Sequence, residues 1–156
     1  MADIDKLMEQ WRRERPSLDL EAMELGMRLV RVASELGHAL LELHARHGIP
    51  PGGFDVLAAL RRSGKPYELT PTQLYESLLL ASGTLTNRLD RLEAKGLIRR
   101  KPDPEDGRGH RVQLTERGQT RVEVVLGEHV KLEANFFAKL PTKDRRSLLR
   151  LLTKLG

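Results

Sequence analysis

The chain has 156 residues, 39% of them hydrophobic and 31% charged, with a formal net charge of +5 and no cysteine. That length suits one domain, or a small domain with a dimerisation arm, and the composition is that of a soluble protein with a modest core. The lack of cysteine excludes a disulfide framework, a thiolate nucleophile, a Cys-based zinc site and a cysteine redox switch, and no apolar run nears the roughly 20 residues of a membrane helix.

The charge is unevenly placed. Residues 1–60 hold 7 Lys/Arg against 10 Asp/Glu, residues 61–114 hold 11 against 7, and residues 115–156 hold 9 against 5. The positive field therefore lies in the middle and C-terminal parts, which suits nucleic acid but equally any solvated surface. The N-terminus, MADIDKLMEQWRRERP, places acids ahead of its basic cluster and has no apolar core, so no secretory signal is expected and a cytoplasmic location is.

An N-terminal helix-like segment carries Trp11, the single tryptophan. Asp19 then caps a predicted helix over 20–47, with Leu25, Leu29, Val32, Leu36, Leu40 and Leu43 at near-helical spacing. Gly48 and Pro50–Pro51 end it. Such a helix is about 42 Å long at 1.5 Å per residue. It reads either as one member of a bundle or as a helix bridging two subunits.

A helix over about 52–63 presents Phe54, Leu57 and Leu60, and an extended piece, Tyr67–Leu69, follows. Thr70-Pro71-Thr72-Gln73 has the form of a capping box, with proline at the first helical position, and predicts a helix to about Leu79. Residues 82–96, SGTLTNRLDRLEAKG, predict another, with Leu85, Leu89 and Leu92 buried and Gly96 at its C-terminal cap. LIRRK (97–101) and HRVQL (110–114) read as strands flanking the turn-forming tip PDPEDGRG. A long helix from Thr115 to about Lys139 and a last one over about 142–155 complete the chain.

Two helices joined by a short turn, then a hairpin, make a winged helix-turn-helix. The fold class is mainly α with a small β-hairpin wing, and residues 52–115 hold the expected DNA-binding domain. A recognition helix offers its N-terminal side chains to base edges in the major groove. Opposite the leucines, Ser82, Thr84, Thr86, Asn87, Arg88 and Arg91 supply the hydroxyl, amide and guanidinium groups that bond bases and phosphates. A solvated helix face has the same composition, and the hairpin that follows is what favours DNA. At the tip, Asp103, Glu105 and Asp106 stand beside Arg108. Either Asp106 orients Arg108 into a narrow minor groove, or the tip is a solvated turn.

The run from Ser82 to Gly118 closely resembles the core of the MarR family of bacterial transcriptional regulators, including its wing signature, here Asp106-Gly107-Arg108 followed by Val112-Gln113-Leu114-Thr115. GGFDVLAAL and SLLRLLTKL are similar to the family's preceding and terminal helices. The resemblance implies a homodimer on a pseudo-palindromic duplex DNA site, with residues 1–47 and 116–156 as its helical dimerisation region, Thr84, Thr86, Asn87 and Arg88 facing the major groove and Arg108 the minor groove. It also implies release by a small aromatic or anionic effector; no cofactor is expected. Where family members often begin the last helix with Ser-Pro, this chain has Leu140-Pro141-Thr142.

His44 and His47 have an i,i+3 spacing usable for metal, although a solvated or core-satisfied pair has the same spacing. A urate-responsive branch of the family carries a tryptophan on an extra N-terminal helix; for Trp11 the other reading is packing or dimer capping. No nucleophile–base pair and no phosphate-binding glycine loop is present, so no enzyme is expected. The reading that competes with DNA binding is a protein-interaction module on the same fold.

Overall fold

The computed structural model describes residues 3–78, 85–104 and 109–155. They form α1 (Ile4–Glu14), α2 (Glu21–Arg46), α3 (Gly53–Arg62), β1 (Glu68–Leu69), α4 (Pro71–Ser77), α5 (Leu85–Ala94), β2 (Ile98–Pro102), β3 (His110–Leu114), α6 (Glu116–Phe137) and α7 (Thr142–Thr153). The fold is the mainly helical, winged helix-turn-helix class expected from the sequence. One element goes beyond it. The extended piece before the capping box is a strand, so the hairpin is part of a three-stranded antiparallel sheet in the order β1-β3-β2.

The chain divides into two compact units, residues 1–39 and 40–156. In the first, Asp3 caps α1 by accepting from the Asp5 N–H. Ile4, Met8 and Leu20 form a small core with Met27 packed on it. Arg28 bridges Asp5 and Glu24, and Arg12 pairs with Glu24 at 3.1 Å. Trp11 is 44% exposed.

The second unit holds the main core, in which Phe54, Val56, Leu57 and Leu60 of α3 meet Leu74, Leu89, Leu92, Ile98, Val112 and Leu114, with Val122 and Val125 of α6. Leu89 and Leu92 are the buried side of the helix read from SGTLTNRLDRLEAKG, and Leu85 packs partly buried against them. The left-handed φ of +65° at Gly96 marks the end of that helix, where a side chain is strained. Thr115 caps α6 through its hydroxyl, which accepts from the Gly118 N–H at 3.0 Å. Pro141 occupies the cap of α7, where no side chain bonds the first turn. Its carbonyl instead accepts from the N–H groups of Asp144 and Arg145.

Candidate nucleic-acid interface

The capping box forms as its residues dictate. The Thr70 hydroxyl accepts from the Gln73 N–H at 3.2 Å, and the Gln73 amide oxygen accepts from the Thr70 N–H at 2.9 Å. At the other end of α4 the Arg62 guanidinium donates to the Ser77 carbonyl, so α3 holds the short helix by its C-terminus. Leu74 anchors the middle and is fully buried.

With Leu89 and Leu92 buried, α5 turns Thr86, Asn87, Asp90 and Arg91 outward. Thr86, Asn87 and Arg91 thus lie on the exposed side to which the leucine spacing assigns them. Arg88 differs. It is half-buried, and a Cβ added to Gly52 would come within 2.6 Å of its Nε. Gly52, at φ +70°, leaves room for this guanidinium at the start of α3. Ser82, Thr84, Asp106 and Arg108 lie outside the described residues.

Two charge clusters hold α5 and the wing in place; Asp90 and Glu93 of the first read in the sequence as ion-pair partners, whereas their partner Arg100 and the whole second cluster do not show there. Arg100 on β2 reaches back to α5, with Nη2 2.7 Å from Asp90 Oδ1 and Nη1 bonded to Glu93. Its backbone N–H donates to the other Glu93 oxygen at 2.9 Å. The second cluster lies at the base of the wing. Asp103 is buried at 9% exposure, its N–H donates to the Gly109 carbonyl at 3.0 Å, and its Oδ1 accepts from Arg111 Nε at 2.9 Å. Arg111 lies 3.9 Å from Glu68 on β1, and Glu68 pairs with Lys101.

This gives one of the three acids of the tip sequence a partner, since Asp103 bonds Arg111 across the hairpin. A signal was available in the sequence. A hairpin symmetric about residue 106 sets Lys101 opposite Arg111, the register observed. Two cations directly opposite repel and require acids nearby.

His44 and His47 go to different partners. His47 Nε2 lies 3.0 Å from Glu128. His44 is buried, its ring stacked on Phe54 at 4.4 Å, with Nε2 3.2 Å from Nδ1 of His129. His129 in turn pairs with Glu133 at 3.2 Å. Burial, then the charges of His129 and His47, push His44 down to about 4. Among the described residues no group of three or more His, Cys, Asp or Glu side chains is placed to hold a metal, and no helix is long and apolar enough to cross a membrane.

The MarR family description matches residues 47–109, which span α3 to the wing. Across nearly the full length, the HTH-type transcriptional regulator PecS of Dickeya dadantii is 36% identical over 153 residues, covering 98% of this chain and 92% of the relative. The chain belongs to the MarR family. The uncharacterized HTH-type regulator YkoM of Bacillus subtilis is 33% identical over 146 residues, covering 91% of this chain and 93% of the relative. Among solved structures, a mutant of Escherichia coli MarR complexed with operator DNA superposes with a TM-score of 0.75 at 30% identity, covering 89% of this chain and 98% of that one. MarR-family membership makes the protein a DNA-binding transcriptional regulator and not an enzyme.

Proposed function

We propose that the protein is a homodimeric, sequence-specific repressor that binds a pseudo-palindromic duplex site and is released by a small aromatic or anionic effector. The observation that carries this is the exposed polar side of α5, with Thr86, Asn87 and Arg91, standing between a box-capped α4 and a wing whose base is pinned by buried charges. This is the arrangement in which a helix-turn-helix reads a major groove. Likeness to a MarR structure solved with operator DNA supports it.

We assign Thr86, Asn87 and Arg91, together with Ser82, Thr84 and Arg88, to the major-groove side, and Arg108, oriented by Asp106, to the wing contact. Of these, Arg88 has a second task, filling the space over Gly52.

The dimer reading is supported by unpartnered apolar side chains. On α2, Leu25, Leu29 and Val30 are 63%, 50% and 69% exposed. On α6 and α7, Val124, Val130, Leu149, Leu151 and Leu152 are also exposed, as is Leu155 just beyond α7, and α7 buries no residue at all. Apolar faces of this extent on a charged chain are the mark of a protein–protein contact. We assign residues 1–47 and 116–156 to that contact and 52–115 to DNA.

Point variants test the assignment. Asn87→Ala should relax base preference at one position of each half-site, by about 1–3 kcal/mol of discrimination. Arg108→Ala should weaken binding across sequences and make the salt dependence shallower, by about 0.9 in slope for each phosphate no longer neutralised. Fluorescence anisotropy with a panel of operator variants at several salt concentrations reads both. Wild-type behaviour in both variants would show that these side chains do not touch the operator.

A further inference from the structure

Away from the exposed side of α5, the second unit has a cleft of about 490 Å³ where the ends of α2 and α5 meet the start of α6, lined among others by His47, Glu93, Lys95, Gly96, Arg117 and Arg121. An adjoining cleft of about 570 Å³ shares His47, Arg117 and Arg121 and adds Thr120 and Val124. Volumes of a few hundred Å³ are those of small-molecule sites.

The charges in this cleft do not balance. Both carboxylate oxygens of Glu93 are taken by Arg100, and His47 Nε2 is taken by Glu128. Arg121 donates to the His47 carbonyl, which is a neutral acceptor. The side chains of Lys95 and Arg117 have no hydrogen bond or ion pair to any described residue. Arg117 also stands in the first turn of α6, where the helix dipole is positive and a cation is disfavoured. Arg121 lies one turn further on the same face, so two like charges adjoin. The C-terminal ends of α2 and α5 offset about half a charge each, and the N-terminal end of α6 returns about half. Arg100 is shared between Glu93 and Asp90, so that group keeps one negative charge, and about half of the three positive charges of Lys95, Arg117 and Arg121 is left unmatched.

We propose that this cleft is a binding site for a small polyanion, a molecule carrying clustered phosphate or carboxylate groups, held by Lys95, Arg117 and Arg121. A bound polyanion would relieve both the like-charge pair and the unfavourable placement on the helix dipole. A DNA phosphate fits less well. A helix-turn-helix presents the N-terminal residues of its recognition helix to the bases, and the cleft is at the opposite end of the ten-residue α5, about 15 Å away. The binding claim itself does not depend on the DNA reading. Only the choice between a free anion and a DNA phosphate does.

The test is calorimetric titration of the full chain with sodium pyrophosphate at constant ionic strength. Saturable binding is expected, with Arg117→Gln and Lys95→Gln each weakening it about tenfold or more, while Arg13→Gln on α1 leaves it unchanged. Absence of saturation by the wild-type chain would overturn the site. So would equal weakening by Arg13→Gln, which would mean general charge attraction. A shallower salt dependence of DNA binding in Arg117→Gln, with pyrophosphate binding equal to that of the wild-type chain, would identify a DNA contact instead.

Discussion

Replacing Gly118 with alanine is expected to lower the unfolding free energy by about 3 kcal/mol, the upper part of the range for overpacking a core. A Cβ at this position would lie 1.9 Å from the Leu97 carbonyl oxygen, 2.9 Å from its carbon and 3.3 Å from a methyl of Leu114. Two of these atoms are backbone, so no rotamer change relieves the clash. The Leu97 carbonyl is already committed to the Thr115 N–H at 3.1 Å. Thr115 also caps α6 through Gly118 and donates its hydroxyl to the Gly96 carbonyl at 2.7 Å. One methyl group thus disturbs the end of α5, the start of β2 and the cap of α6 together. The better helix propensity of alanine, about 1 kcal/mol, offsets only part of this. Urea unfolding at fixed protein concentration reads the loss. A Gly118→Ala chain as stable as wild type would show that α6 does not pack this closely on Leu97.

The second large effect is on pH dependence. His44 in the folded chain is pushed down to about 4, by burial first and then by the charges of His129 and His47. The unfolded chain releases its histidine protons near 6.5. Above that value both states are neutral and His44 adds no pH dependence. As the pH falls below it, the unfolded chain takes up a proton that the folded chain refuses, and stability is lost until the pH reaches about 4. By about pH 5 the expected loss is about 2 kcal/mol.

The surroundings of His44 explain the refusal. Its ring is stacked on Phe54, and its Nε2 faces the Nδ1 of His129. The pairing of His129 with Glu133 favours a proton on Nε2 of His129, leaving Nδ1 to accept from His44. Glu128 is held by His47 rather than facing His44. Urea unfolding of wild type and His44→Phe at about pH 7.5 and pH 5 measures the effect. The variant should lose about 2 kcal/mol less than wild type on acidification. Equal losses would assign the pH dependence to other groups.

Much of this fold is legible in the residues because its signals are local. The capping box at Thr70–Gln73, the leucines of α5 and the two five-residue strands each span a few positions, and each forms as read except the first strand, which lies one residue later at Ile98–Pro102. The strand Glu68–Leu69 is visible in the sequence only as an extended piece, because a two-residue strand has no alternation to count and exists by pairing with Gln113 and Val112. The His44–His129 pair joins residues 85 apart in sequence, and no periodicity links α2 to α6 at that distance. Gly118 reads as an ordinary glycine in a helix until Leu97 is placed against it. Asp103 reads as one of three acids in a polar tip, and its burial follows from sheet register rather than residue type. For the interface itself, residue type and helical spacing suffice to put Thr86, Asn87 and Arg91 outward. They do not show that Arg88 packs over Gly52, which depends on how α5 meets α3.

The central claim is that a dimer of this chain reads a specific duplex sequence. Selection of bound fragments from a pool of random duplex DNA tests it most directly. Two recognition helices related by a two-fold axis should enrich a pseudo-palindrome whose half-sites are about one helical turn apart, about 10 bp centre to centre. A pool that binds without enrichment, or an enriched single half-site with no symmetric partner, would contradict the claim.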